Sequence, residues 1–392
     1  MSWPLVKLKD CCEVVGGATP RREVPEYWDT PDVPWVTPKD VSDLACPTLE
    51  DAPEYISEAG FKSCSTSIIP KGSVLVTSRA PIGNIAIVGR DLCTNQGFKS
   101  LVPGSNVDGL YLYYCMKSSS ERLQALGNGA TFKEVSKKIV EEFAIPLPPL
   151  PEQRRIAAIL DKADAIRRKR QLAIQLADDF LRAVFLDMFG DPVTNPKGWE
   201  VRPLIELIDP ARPITYGILM PGDDIEGGVP YVRVVDMKDG VVLVDRVRRT
   251  TIEIAQQYKR SSLRAGDVLI SIRGHVGRLA VVPKELEGAN ITQDTARLAT
   301  NSNCSSLYLY ACLENRKMQQ EMQRFVKGAA VKGINLTDLK QLKIPVPPIE
   351  LQKKIERKIE LMTTALASLE QSSVCLLDGF KSLSQKAFSG QL

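Results

Sequence analysis

Two stretches of this chain carry apolar residues at alternating three- and four-residue steps. The first runs Ile156, Ile159, Ala163, Ile166, then Arg170, Ala173, Ala177, Phe180 and Val184, with Arg170 the one polar interruption. The second runs Ile355, Ile359, Met362, Leu366, Leu369, Ser373, Leu376, Phe380, Leu383 and Ala387. Heptad spacing of this kind keeps a narrow apolar seam on one side of a helix. Pro151 and Pro348 suit helix starts, where a missing N–H costs nothing. Gly190 and Pro192 stop the first helix, and Ser389-Gly390 stops the second. The pattern predicts one helix within 151–190 and one within 350–392, each of about 38 residues and about 57 Å at 1.5 Å per residue. A helix packed on its own domain is one reading of such a seam. Two helices pairing antiparallel fits a seam this long and narrow better.

Ahead of each helix the pattern changes to short apolar runs. Ser73-Val74-Leu75-Val76-Thr77 and Asp267-Val268-Leu269-Ile270-Ser271 follow glycine turns, as buried strands do. Asn84-Ile85-Ala86-Ile87-Val88 and Arg278-Leu279-Ala280-Val281-Val282 follow further glycines. Each pair predicts a hairpin, around a loop at 79–83 in one case and 273–277 in the other. Helical stretches are expected near 108–126 and 304–326. The fold class is α+β.

These parallels extend along the whole chain. Trp3 and Leu8 recur as Trp199 and Leu204, 196 positions on, and Pro34-Trp35-Val36 with Asp40-Val41 recurs as Pro230-Tyr231-Val232 with Asp236-Met237. The run from Lys71 to Arg79 matches that from Ala265 to Arg273 at an offset of 194, with Gly83 answering to Gly277. Leu110-Tyr111-Leu112-Tyr113 answers to Leu307-Tyr308-Leu309-Tyr310, and Gly129-Ala130 to Gly328-Ala329. Ile145-Pro146-Leu147-Pro148-Pro149 answers to Ile344-Pro345-Val346-Pro347-Pro348 at 199. Order is kept while the offset drifts by a few residues, so the chain is one unit written twice. A period this long means two domains and not a stacked solenoid.

Composition narrows the function classes. The 392 residues are 44% hydrophobic and 25% charged, which is globular. A net charge of +4 is compatible with nucleic-acid binding without arguing for it. The nine cysteines form no C-x-x-C and no cluster with the single histidine, His275, so no metal site is expected. Their spacing suggests a reducing compartment. The first residues show no leader pattern, and no apolar run reaches the length of a membrane span, so a cytoplasmic protein is expected. Catalytic motifs are missing too. The Pro-Pro pairs follow Leu147 and Val346, without the Asn or Asp that an adenine methyltransferase loop needs, and no Gly-rich cofactor loop follows a strand. Glu356-Arg357-Lys358 imitates a nuclease fragment but sits on the second seam helix. A non-catalytic protein that binds no cofactor or metal is expected.

The doubled words resemble those of the Type I restriction–modification specificity (S) subunits. Trp3-Pro4-Leu5-Val6-Lys7-Leu8 and Gly198-Trp199-Glu200-Val201-Arg202-Pro203-Leu204 are similar to that family's domain openings. The run from Thr77 to Asn84 resembles its central loop, and that from Ile145 to Ile156 its exit into a ruler helix. Phe388-Ser389-Gly390-Gln391-Leu392 resembles its ending. The resemblance implies two tandem, pseudo-two-fold-related target recognition domains at 1–150 and 191–349. Two long antiparallel coiled-coil helices, at 151–190 and 350–392, separate them. It also implies a non-catalytic subunit that reads a bipartite, asymmetric site in double-stranded DNA. Partners would be two modification subunits, which use S-adenosylmethionine to methylate adenine N6, and restriction subunits, which use ATP and Mg. A coiled-coil adaptor, or a repurposed defence relative with no specificity role, is the alternative.

Within that frame the contact candidates can be graded by what the two copies share. Arg79 and Arg273 occupy matching loop positions, which fits a phosphate or structural role better than base reading. His275 and Arg278 stand where the other copy has Pro81 and Asn84, and such difference suits specificity. Lys133 and Lys332 belong to glycine-rich loops that let a backbone approach phosphates closely. Lys39, Lys99, Arg233 and Lys238 lie beside predicted strand ends. Arg167-Arg168-Lys169-Arg170 offers a charged helix face. The seam residues Ile156, Ile159, Ala163, Ile166, Phe180, Val184, Ile355, Ile359, Met362, Leu366, Leu369, Leu376, Phe380 and Leu383 are the expected ruler and subunit interface.

Overall fold

The computed structural model describes residues 3–42, 44, 46–128, 133–328 and 332–392. Within its helices, the side chains of 178, 360–375, 377 and 378 are outside that description. The chain forms two compact units, Met1–Ala173 with Leu369–Leu392, and Ile174–Ser368.

In the first unit a five-stranded sheet runs in the order Cys12–Gly16, Lys99–Pro103, Val74–Val76, Ile85–Val88, Thr48–Leu49. The hairpin register pairs Val74 with Ile87 and Val76 with Ile85. Successive residues of a strand face opposite sides. Val74 and Val76 enter a core with Tyr111, Leu112 and Cys115, while Leu75 enters a second core with Phe98 and Leu92. Burial on both faces is why this strand reads as an unbroken apolar run. A three-stranded sheet of Glu54–Ile56, Val33–Val36 and Cys93–Thr94 lies alongside, and Leu5–Lys7 pairs with Ala144–Pro146.

The second unit repeats this plan. Val268–Ser271 pairs with Leu279–Val281 at the centre of a six-stranded sheet, and Leu269 and Ile270 divide between two cores as Leu75 and Val76 do. The helix Gly109–Ser118 is capped by Asp108, whose side chain accepts from Tyr111 N. Its counterpart Ser306–Glu314 is capped by Ser305, accepting from Tyr308 N. The Tyr111 and Tyr308 hydroxyls donate to Pro146 O at 2.8 Å and Pro345 O at 2.7 Å. Buried phenols need such partners.

The long helices run Leu150–Phe189 and Ile349–Ser389, 40 and 41 residues. Gly190 takes φ +77 and ends the first. Each unit holds the start of one helix beside the end of the other: Ile156, Ala157 and Leu160 with Phe380, Leu383 and Ala387 in the first. In the second, Ile355 and Ile359 meet Val184, Phe185 and Phe189. The two helices therefore lie antiparallel within each unit.

The expected seam needs correction. Leu160 and Phe185, which the heptad skipped, are buried, while Ile166 and Phe180 are 52% and 58% exposed. Near its ends the helix covers its own domain as well as its neighbour. It therefore buries a broad face (Ile156, Ala157, Leu160, Asp164) and not a thin stripe. Ile159, Ala163 and Leu376 are half-buried. The side chains of Met362, Leu366 and Leu369 lie outside the described residues. Among the described residues no helix is long and apolar enough to cross a membrane, no cluster of metal-binding side chains occurs, and the cysteines are free thiols.

Candidate nucleic-acid interface

In each unit four loops converge at one end of the central hairpin. The hairpin turn itself is built identically twice. Gly83 N donates to Thr77 O, Thr77 Oγ1 donates to Pro81 O, and Asn84 N donates to Thr77 Oγ1. Gly277 N to Ser271 O, Ser271 Oγ to His275 O and Arg278 N to Ser271 Oγ repeat the set. Gly83 and Gly277 take φ +89 and +94, which only glycine adopts freely.

A helix holds each turn from behind. Ser120 Oγ donates to Gly83 O and Gln124 Nε2 to Ile82 O, at 2.9 and 3.0 Å. Gln319 and Gln323, each 199 positions on, donate to Gly277 O and Val276 O at 2.9 and 3.2 Å. The glycine-rich loop closes onto the hairpin on another side. Val135 N donates to Ser78 O, and Ile334 N to Ile272 O. Gly274 N also donates to Lys332 O at 2.9 Å. The loop tips, 129–132 and 329–331, lie outside the described residues.

A third loop was not foreseen. Ser78 N donates to Gly97 O and Ile272 N to Asp294 O, which places Gln96 and Gln293 beside the hairpins. Arg273 Nη1 donates to Gln293 Oε1 at 3.1 Å. A fourth loop rests on the third: Ala18 N donates to Thr94 O, and Ile218 N to Ile291 O. Thr19 Oγ1 donates to Gln96 Oε1 at 2.5 Å. The matched glutamines, 197 apart, were legible as part of the repeat, but nothing local ties them to the hairpins.

The expected contact residues divide into two groups. Arg273, His275 and Lys332 are exposed on the converging loops, as is Lys133, and Arg79 is half-exposed. Arg79, Lys133 and Glu134 line an open cleft of about 650 Å³ with Pro81 and Gln124. Pro81 and His275 stand at equivalent points of the two turns. Of the others, Arg278, Asn84, Arg233 and Lys99 are engaged within the fold. Arg278 Nη1 donates to Val234 O and Met237 O, and Asn84 Nδ2 to Ser42 Oγ, so this position ties the turn to its neighbour in both units. Arg233 forms a two-pronged pair with Asp236 and donates to Arg246 O. Lys99 is 14% exposed and lies between Ser78 Oγ and Glu134. Lys39 and Lys238 are exposed, next to segments that the turns hold: Asn84 bonds Ser42 on the helix that carries Lys39, Arg278 bonds Met237 beside Lys238, and Lys238 lies 3.9 Å from Asp239. Of the basic helix run, Arg167 and Arg168 close onto Asp164, which is buried. Glu356 accepts from Ser305 Oγ at 2.9 Å, a structural role at a helix cap.

What this arrangement can do is bind a polyanion at two places. Each cluster presents exposed or half-exposed Lys and Arg side chains beside described backbone that is already hydrogen-bonded. The clusters share a scaffold and differ at exposed positions.

The comparisons agree with that duplication. The model of the Type I restriction modification DNA specificity domain matches residues 2–176 and again 196–372. The chain is 28% identical to the Type I restriction enzyme MjaIX specificity subunit of Methanocaldococcus jannaschii, covering all of this chain and 93% of that one. It is 29% identical to the EcoBI specificity subunit of Escherichia coli, over 72% of this chain and 65% of that one. Among solved structures, an S subunit of a Type I system from M. genitalium superposes with a TM-score of 0.62 at 16% identity, over 99% of this chain and 96% of that one. A chain from a study of Type I R-M complex assembly and conformational transition gives a TM-score of 0.56 at 21% identity, over 100% and 98%. With one family model matched once per unit across most of its length, the chain belongs to the specificity subunits of Type I restriction–modification systems.

Proposed function

We propose that the two loop clusters are the DNA-reading ends of this specificity subunit, each reading one half-word of a bipartite, asymmetric target. The observation that carries this reading is the doubled hydrogen-bond scaffold around turns that end in Pro81 in one unit and His275 in the other. The same construction with different exposed side chains suits two different words. Arg79, Lys133, Arg273 and Lys332 serve as phosphate contacts, and His275 as a base contact in the second half-word.

A specificity subunit directs DNA recognition and is non-catalytic. It binds no cofactor, and S-adenosylmethionine and ATP are used by its modification and restriction partners. In our reading two modification subunits dock along the long helices, where Ile166 and Phe180 stand exposed. They methylate adenine N6 in each half-word, and the assembly works in the cytoplasm. The test is a genome-wide map of adenine methylation with the gene intact and deleted. A split motif with an unread spacer, lost on deletion, is expected. An unchanged map with the partner methyltransferase expressed overturns the proposal.

A further inference from the structure

The fourth loop differs between the two units. In the first unit it carries Thr19, whose hydroxyl is bonded to Gln96, and then Pro20, which is buried. In the second it carries Leu219 and Met220, 47% and 80% exposed. A methionine this open to water, next to a half-exposed leucine, is apolar surface whose covering by a partner would be favourable.

Both side chains are held in place by the backbone that carries them. A Cβ built on Gly217 would fall 1.8 Å from Ile291 O, so the loop lies on that strand as only glycine allows. Ile218 N donates to Ile291 O at 2.7 Å, and Gln293 N donates to Ile218 O at 2.9 Å. On the far side Thr250 Oγ1 donates to Pro221 O at 2.7 Å. Leu219 and Met220 therefore project from a short segment fixed at both ends. One of those ends is bonded to Gln293, and Gln293 is bonded to Arg273. The apolar pair is thus continuous with the cationic turn, with Lys332 joined to it through Gly274.

We propose that Leu219 and Met220 recognise a thymine in the second unit's half-word by packing on its C5-methyl group. The inference rests on the reading that these loops face DNA. Cationic neighbours select the polyanion, and within a duplex the thymine methyl is the apolar feature a base edge offers in the major groove. The first unit, with Thr19 and Pro20 in this place, lacks such a contact. The two half-words then differ in how a thymine is sensed, and not only in which bases they contain.

The test uses the full chain with its modification subunits and a duplex carrying the target found by methylation mapping. Each thymine in turn is replaced by deoxyuridine, which removes only the methyl group. At one or more thymines of one half-word, wild type is expected to bind the deoxyuridine duplex about fourfold more weakly, the worth of one buried methyl group. The double variant Leu219→Ala, Met220→Ala loses that difference and keeps discrimination elsewhere. Both side chains are exposed on a loop anchored by backbone bonds, so the variant remains folded, which its melting curve checks. Wild type indifferent to deoxyuridine at every thymine overturns the inference. A double variant that still discriminates, or that fails only in assembling with its partners, overturns it too. The variant Arg273→Ala, Lys332→Ala separates the two levels. If it weakens duplex binding while deoxyuridine has no effect, only the thymine contact is lost. If it leaves binding and its salt dependence unchanged, the loop-cluster reading itself fails.

Discussion

The indole Nε1 of Trp3 donates to the carbonyl oxygen of Ala387, 2.9 Å away across 384 positions of sequence. The second unit makes the same bond locally, Trp199 Nε1 to Phe189 O at 2.9 Å. In one unit the opening tryptophan meets the end of the second long helix, and in the other the end of the first. The repeat is thus circular, and residues 190–198 do covalently in one unit what the first unit does without a covalent link.

A circular permutant should therefore fold. Joining Leu392 to Met1 through a segment copied from 190–198 and opening the chain within that same segment gives each unit its full set of contacts. The expected outcome is a cooperative melt within a few degrees of wild type and unchanged duplex binding, read by calorimetry and by fluorescence anisotropy. Trp3→Ala in the unpermuted chain removes a half-buried side chain and its bond, and should cost about 2–3 kcal/mol in the first unit.

Arg79 and Arg273 predict an electrostatic signature. Replacing either by Ala should weaken binding to target and non-target duplexes to a similar degree. It should also lower the slope of log K against log salt by about one. Titrations between low and moderate salt check this. A changed methylation motif with an unaltered slope would make that arginine a base reader.

Gln153 is fully buried. It accepts from Asp108 N at 2.9 Å and donates to Asn106 O and Pro148 O at 2.9 and 2.8 Å. Gln352 repeats this with Ser305 N, Asn303 O and Pro347 O. Gln153→Ala strands a buried N–H and two carbonyls and should cost about 3 kcal/mol. Chemical denaturation should show the loss in one unit only, with the Gln352 unit unmoved.

Burial pushes the Cys93 and Cys304 thiols up to about 12. A thiol raised this far is almost wholly protonated near neutral pH, and the thiolate is the reactive form. Maleimide labelling of the native chain at pH 7.5 should mark the exposed Cys46 and spare Cys93 and Cys304. Peptide mass spectrometry reads the sites. In denaturant all three should label, because desolvation is the largest cause of the raised values in both buried thiols.

The duplication, the α+β class, the two central hairpins and the two long helices follow from sequence pattern alone. Each is written in local periodicity or in a fixed offset, as Val74-Leu75-Val76 and Val268-Leu269-Ile270 are. The family resemblance rests on the same doubled order. Which side chains are available at the loops depends on packing between segments far apart in the chain. Asn84 and Arg278 differ between copies and so suggested specificity, yet their partners, Ser42, Val234 and Met237, lie some forty residues away and hold the turn in place. Gln96, Gln293, Leu219 and Met220 join the cluster through bonds between segments distant in sequence, which no local pattern records. The long helices show the same limit. Their period was legible, but which face each turn buries depends on a neighbour supplied by the other end of the chain.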